Sequence, residues 1–153
     1  MLNKIKLFFD EHLKISDPEQ SSAENLRVAC AALFLEMMMM DEVVESKEQK
    51  EILELLRNNF SLTTEQATAL IDVAEQQRQQ AVDYYRFIAL INKEYTQQQK
   101  VELVESLWKI AFVDGVLDEN EEYLVRKIAN LLHVPHTAFI ITKNRVSSAQ
   151  ILQ

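Results

Sequence analysis

Residues 112–121 read FVDGVLDENE, an acidic turn between two apolar runs of the chain. Residues 39–48 read MMDEVVESKE and carry the same pattern: an aspartate, two residues, an aliphatic residue, three residues and a glutamate. The two aspartates, Asp41 and Asp114, lie 73 positions apart, and each turn follows one helix-compatible segment and precedes another. The sequence therefore predicts an internal repeat of two helical hairpins, each with an acidic turn.

The packing residues repeat together with the acidic ones. Ile52 matches Val125, and Leu55 matches Ile128, at the same offset of 73 positions. The 153-residue chain contains one glycine and two prolines, which is too few for the many turns of a β protein. Its hydrophobic content of 48% is sufficient for a core. We therefore predict an all-α fold: a single compact domain, residues 1–153, of about seven helices with an internal pseudo-twofold repeat of helical hairpins.

Apolar residues at helical spacing indicate where the helices lie. Residues 1–15 predict an N-terminal amphipathic helix that packs on the body of the domain. Residues 22–40 predict a long central helix, because its apolar residues cover almost the whole circumference, and Cys30 is expected to be buried within it. The two repeat units are expected around residues 23–75 and 96–145.

Local signals predict where helices begin, bend and end. Thr96 and Gln99 have the spacing of a capping box, and a threonine at 63–64 is expected to cap an earlier helix. The polar residues 76–80 are expected to mark a bend. The last helix is expected to span about ten residues, with a frayed tail from Ser147 onwards.

The net charge of −8 limits the classes of partner. Nucleic-acid binding needs a surface rich in lysine and arginine, so the charge argues against it and favours cations or basic protein surfaces. Cys30 is the only cysteine, so no disulfide can form within one chain, which is typical of a reducing compartment. Since no apolar run of about 20 residues is present, we expect no transmembrane segment and a cytoplasmic location.

Each acidic turn supplies carboxylates at the end of one helix and at the start of the next. A hard divalent ion needs about six oxygen ligands, water included, so one turn alone would bind weakly. Two facing turns could combine Asp41, Glu48, Asp114 and Glu121 into one shared site. Carboxylates and water suit Ca²⁺, Mg²⁺ or Mn²⁺ better than Zn²⁺, since neither turn contains histidine or cysteine.

The second turn resembles the last part of a calcium-binding EF-hand loop, but it lacks the first ligands of that loop. With Glu121 at the final ligand position, the first two ligand positions fall on Ile110 and Phe112, which cannot bind a cation. The corresponding residues of the first turn are Met37 and Met39. Neither turn is therefore an EF-hand, and a cation site requires both turns.

Helix capping is the alternative explanation of the acidic residues. Asp118 at the N-cap and Glu121 three positions later match a capping sequence, and acidic residues in a first turn suit the helix dipole. Asp41 and Asp114 instead follow helices, where the dipole disfavours a negative charge by about 0.3–1 kcal/mol. This unfavourable placement occurs twice and favours a compensating cation, while the capping alternative stays open.

At these residues the chain resembles the TerB-like family, the tellurite-resistance protein B group, which shares a related helical domain with the DnaJ-like membrane chaperones. The family pattern is an apolar helix, an Asp-Gly turn, an aliphatic residue and a glutamate that opens the next helix, as in residues 112–121. In residues 39–48, Glu42 stands where glycine is usual. The resemblance covers roughly residues 23–145.

This resemblance implies an all-α TerB-like helical core with a metal site built from the two copies of the motif. Carried over by motif, the site residues are Asp41, Glu48, Asp114 and Glu121. The resemblance also implies a link to tellurite and stress resistance, and it leaves the activity open because fold does not fix function.

The leading expectation is a non-enzymatic, metal-binding helical domain that acts as a scaffold or sensor in tellurite or stress resistance. A metal-free protein-interaction module or a helical homodimer is an alternative, since the apolar N-terminal helix and the methionine-rich central helix offer docking surfaces. A metal-dependent hydrolase is a third, because carboxylate-bound ions can activate water. The chain has no glycine-rich phosphate loop and no His-Glu-x-x-His motif, which disfavours the hydrolase.

Overall fold

Seven helices and no strand make up the part of the chain that the computed structural model describes, which is residues 18–39, 46–80, 84–113 and 117–151. The helices are α1 (Pro18–Met38), α2 (Ser46–Phe60), α3 (Thr64–Gln80), α4 (Tyr85–Glu94), α5 (Gln97–Ala111), α6 (Glu119–Leu131) and α7 (His136–Ile151). The all-α prediction is confirmed. The predicted N-terminal helix at residues 1–15 lies outside the described residues.

The long helix α1 lies at the centre of the fold. Its residues 28–35 are all buried, and α2, α3, α4 and α5 each pack against it. A helix that contacts neighbours on all sides must be apolar around its circumference, which is the pattern that the sequence presents. The buried thiol of Cys30 also agrees with prediction. Although α1 is apolar, no helix among the described residues is long and apolar enough to cross a membrane.

The two helical hairpins share one core. The first is α1–α2 and the second is α5–α6, and they meet where α5 packs against both α1 and α2. The matched residues Ile52 and Val125 are 1% and 0% exposed, and the matched pair Leu55 and Ile128 is also buried. The repeated packing residues therefore all belong to a single hydrophobic cluster. The repeat boundaries and the pseudo-twofold relation stay predictions.

The predicted capping residues form hydrogen bonds at two helix starts. The backbone N–H of Gln99 donates to the hydroxyl of Thr96, and the backbone N–H of Thr96 donates to the side-chain oxygen of Gln99, at 3.2 and 2.9 Å. Thr63 and Gln66 make the same reciprocal pair at the start of α3, at 3.1 and 2.9 Å. Each pair satisfies N–H groups that a helix start leaves without a partner.

The predicted bend at residues 76–80 is wrong, because α3 continues to Gln80. The guanidinium of Arg78 donates two hydrogen bonds to the carboxylate of Glu75, at 2.7 and 3.0 Å. It also donates to Glu36 on α1, at 3.4 Å. These ion pairs fix a polar segment, which has a weak apolar pattern of its own, against the central helix.

The predicted short last helix with a frayed tail is also wrong. Helix α7 spans 16 residues and ends at Ile151. It packs along α5, and this contact buries Phe139 and Val146, which are 2% and 5% exposed. Val146 lies near the predicted end of the helix, so its burial against α5 explains why the helix continues past Ser147.

Candidate metal centre

The structure describes only some of the four predicted ligands. Asp41 and Asp114 lie outside the described residues. Glu48 is the third residue of α2, but its side chain lies outside the described part, whereas Glu121 is described in full. Among the described side chains, no group of three or more histidine, cysteine, aspartate or glutamate residues could hold a metal ion. The four-carboxylate site therefore stays a prediction.

The carboxylate of Glu121 is buried, with 4% of the residue exposed. It is the third residue of α6, as Glu48 is the third residue of α2. The positive end of a helix dipole favours a negative charge at this position. A carboxylate that is withdrawn from water is typically held by hydrogen bonds, by an opposite charge or by a metal ion. The burial of Glu121 therefore suits a structural or ligating role better than that of a solvated surface charge.

Asp118 occupies the N-cap position of α6, as the capping alternative predicts, with φ of −79° and ψ of 141°. Its side chain accepts no capping hydrogen bond from the described backbone. The complete capping box that Thr96 and Gln99 form at α5 is thus not repeated at α6, because the Asp118 side chain makes no capping hydrogen bond there.

A pocket of about 460 Å³ lies between α2, α5 and α7. Its polar lining consists of Glu51 from α2, Glu105 and Lys109 from α5, and Arg145 from α7. Val113, which directly precedes the second acidic turn, completes the wall at the end of α5. Glu51 lies one helical turn after Glu48. Residues beside both acidic turns therefore border the same space.

The charges around this pocket are mixed. Burial raises the pKa of the Glu51 carboxyl above its ordinary value, the positive charge of Lys109 partly offsets this rise, and the nearby Glu54 carboxylate adds to it. On the opposite wall, the guanidinium of Arg145 donates to the carboxylate of Glu105 at 2.8 Å. A cation that bound beside Glu51 would stabilise its charged form and lower this pKa again.

The donor chemistry around the turns fits a hard cation. Glu121 and Glu51 offer carboxylate oxygens, which Ca²⁺, Mg²⁺ and Mn²⁺ prefer. Two residues of the kinds that zinc prefers, Cys30 and His136, have other contacts. The thiol of Cys30 donates to the hydroxyl of Tyr95 at 3.4 Å, and the ring of His136 stacks on Phe139 with a centroid distance of 5.6 Å.

Sequence reasoning missed the residues that line the pocket beyond the acidic turns. Glu105 and Lys109 are four positions apart and therefore share a face of α5, which the sequence alone indicates. Arg145 and Glu51 join them through packing of α7 and α2 on that face. No spacing rule relates Arg145 to Glu51, so only the tertiary structure could identify this group.

The comparison with protein families gives a match over residues 27–144 to the family described as tellurite resistance protein TerB. The match begins in α1, ends in α7 and includes both acidic turns. Neither the curated proteins nor the solved structures give a match. Since the family match covers most of the chain, and the described helices form an all-α fold, the chain belongs to the TerB family.

Proposed function

We propose that this chain is a non-enzymatic TerB-family domain that binds a divalent cation through its two acidic turns. The ligands would be the carboxylates of Asp41, Glu48, Asp114 and Glu121, with water molecules completing the coordination. A bound ion would supply positive charge between the two helical hairpins and link them. The role of the carboxylates is to hold the ion, and no reaction is assigned to it.

The pocket between α2, α5 and α7 carries this proposal. Glu51 follows Glu48 by one helical turn, and Val113 precedes Asp114 directly, so neighbours of both turns line one space. The turns are 73 positions apart in the sequence, and a shared site requires that their surroundings meet. The burial of Glu121 adds support, because an acid that only caps a helix can stay in contact with water.

The physiological role that we propose follows from the family. Its description names tellurite resistance, and the chain would act in the cytoplasm as a scaffold or sensor in tellurite or stress resistance. A cation that joins two hairpins gives such a domain two states, with and without the ion, that a partner protein could distinguish. The proposed function is therefore ion-dependent recognition rather than catalysis.

The test is ion-dependent stability together with calorimetric stoichiometry. Thermal unfolding would be measured in chelator and in Ca²⁺, Mg²⁺, Mn²⁺ or Zn²⁺. An ion at 100 times its Kd stabilises the folded state by about 2.7 kcal/mol, which raises the Tm by about 5–10 °C for a chain of this length. We expect one of the hard ions to give this rise, with one ion bound per chain.

Three variants separate a shared site from the alternatives. Asp41→Asn and Asp114→Asn should each abolish binding, because both turns supply ligands to one ion. Glu119→Gln is the matched control, since Glu119 is an exposed acid in the same first turn of α6 as Glu121. Stoichiometry of two ions that falls to one in each aspartate variant would contradict a shared site. No Tm rise with any of the four ions would overturn metal binding altogether.

A further inference from the structure

The outer face of α6 carries an exposed aromatic residue that is followed by two cations one turn later. Tyr123 is 65% exposed, more than any other large hydrophobic residue of the described part. Arg126 and Lys127 follow it by three and four positions, so all three share one face of the helix. Burying the large ring of Tyr123 against a partner would remove a costly apolar surface from water.

This surface continues from α6 to the start of α4. The ammonium of Lys127 lies 6.0 Å from the ring of Tyr84 and 5.9 Å from the ring of Tyr85. The two tyrosine rings stack with a centroid distance of 5.3 Å, and Tyr85 is 45% exposed. We call the residues Tyr84, Tyr85, Tyr123, Arg126 and Lys127 the tyrosine–cation patch.

The patch keeps an excess of positive charge, although the first turn of α6 is acidic. The carboxylate of Glu122 lies 3.7 Å from the guanidinium of Arg126. The same carboxylate accepts a shorter hydrogen bond from Lys143, at 2.8 Å. Because Glu122 is shared by two cations, it cannot neutralise both. Two more acids lie near the patch: Glu119, one turn before Tyr123, and Glu36, whose charge acts on Tyr84 but is paired with Arg78 at 3.4 Å.

Arg126 and Lys127 are also held in place. The guanidinium of Arg126 lies 5.8 Å from the ring centroid of Phe139 on α7, and its side chain is 54% exposed. Cation–π contacts of this kind restrict a long side chain without removing its charge from water. A partner would therefore meet cations that have already lost part of their conformational freedom, which lowers the entropic cost of binding.

We propose that the tyrosine–cation patch is a docking surface for an acidic segment of a partner protein. Tyrosine and arginine are the residues that most often dominate protein interfaces, and the exposed rings and cations fit apolar and carboxylate side chains respectively. The charge of the patch is opposite to that of the chain as a whole, which is −8. A small positive patch on an acidic chain favours a small acidic segment as its partner.

Extended anionic surfaces fit the patch less well. A nucleic acid or an anionic membrane would meet the acidic surface around the patch as well as the patch itself. Repulsion from that surface acts over a Debye length of about 8 Å at physiological salt. A short peptide segment contacts the patch alone, so it gains the attraction with little of the repulsion.

The test is binding of a short fluorescein-labelled peptide, in which glutamate alternates with leucine and phenylalanine, to the full chain. Fluorescence anisotropy would measure the Kd, and the same peptide with lysine in place of glutamate is the charge control. Tyr123→Ser and Lys127→Glu should each weaken binding about tenfold or more. Ile141→Ser and Lys50→Glu should leave it unchanged, because Ile141 and Lys50 are exposed at other sites.

Other results would overturn the proposal. These are no binding of the acidic peptide, equal binding of the lysine peptide, or equal effects of the patch and control variants. Tighter binding of a single-stranded oligonucleotide or of anionic vesicles through Tyr123 would assign the patch to those partners instead. A self-association that Tyr123→Ser abolishes would assign it to a second copy of the chain. Tyr123, Ile141 and Lys50 are exposed and Lys127 is half-buried, and none lies in the core, so circular dichroism should show unchanged folding.

Discussion

Ser61 and His133 adopt the same left-handed backbone conformation, with φ of 54° and 60°, at the ends of α2 and α6. In each case the N–H of the next residue, Leu62 or Val134, donates to the carbonyl five positions earlier, at 3.0 and 2.9 Å. Leu62 and Val134 are both buried. The second helix of each hairpin thus ends in the same way, although neither left-handed residue is the glycine that usually occupies this position.

The first prediction is that Ser61→Gly stabilises the protein. A left-handed conformation costs a residue with a Cβ about 1–2 kcal/mol, and glycine avoids this cost. Part of the gain is lost because glycine is more flexible in the unfolded chain, so we expect a net increase of about 0.5–1 kcal/mol. Denaturant unfolding would measure the change.

Lys50→Gly is the matched control, because Lys50 is an exposed residue within α2. This substitution should lower the free energy of unfolding by about 0.5–1 kcal/mol. His133→Gly should act like Ser61→Gly, and the two effects should add because the sites are separate. If Ser61→Gly and Lys50→Gly destabilise alike, the left-handed conformation carries no strain.

The second prediction concerns the capping box at α5. Thr96→Ala removes the hydroxyl that accepts from the Gln99 N–H, and it should cost about 1 kcal/mol of unfolding free energy. For a domain of this size, the Tm should fall by about 2–4 °C. Thr137→Ala, at an exposed position in the first turn of α7, is the control. Equal losses in both variants would mean that the Thr96 cap adds nothing.

The third prediction is that Cys30 is unreactive in the folded protein. Burial raises the pKa of its thiol to about 12, although the hydrogen bond with Tyr95 acts in the opposite direction. At neutral pH the thiol is therefore protonated and inaccessible, so alkylation must wait for unfolding. Labelling by iodoacetamide should follow the unfolding curve in denaturant. Rapid labelling of the folded chain in buffer alone would contradict the burial.

The fourth prediction is a loss of stability at alkaline pH that depends on Cys30. The folded thiol, with a pKa of about 12, holds its proton more tightly than the unfolded thiol near 9.0. The folded state therefore binds more protons between these values, and stability falls as pH rises through this window. Cys30→Ala should make the fall shallower. Burial raises the pKa of Tyr95 and Tyr84 as well, so part of the fall should persist.

The fifth prediction concerns acid pH. Hydrogen bonds from Arg78 lower the pKa of the Glu75 carboxyl below its ordinary value of 4.5. Its stabilisation is therefore fully present above pH 4.5 and is lost as pH falls through the lowered pKa. Because the pair is partly exposed, we expect only about 0.5–1 kcal/mol. Glu75→Gln should lower the free energy of unfolding by this amount at pH 7 and by little at pH 2. Glu94 is exposed at the end of α4, so Glu94→Gln should lower it at neither pH.

Several features were predictable because they depend on neighbours in the sequence. The caps at Thr96 and Thr63 need only a side chain that reaches its own helix start, so spacing is sufficient. The central position of α1 follows from an apolar circumference, which allows no solvent-facing side. The burial of Ile52 and Val125 follows from the repeat, since equivalent residues of two similar hairpins enter the same core.

Other features were not predictable because they depend on which elements meet. The continuation of α3 to Gln80 rests on Arg78 reaching Glu36 of α1, 42 positions earlier in the chain. The length of α7 rests on the burial of Val146 against α5. The absence of a capping bond from Asp118 within the described residues shows that a matching sequence does not ensure the hydrogen bond.

The sequence by itself determined the helical class, the family and the duplicated acidic motif, because periodicity, caps and motifs are local patterns. Only the tertiary structure decided that Glu51, Lys109 and Arg145 share a pocket beside both turns. It also decided that Glu121 is withdrawn from water while Tyr123 is left exposed. Burial and proximity are set by how the helices pack, and residues far apart in the chain carry no local signal of that packing.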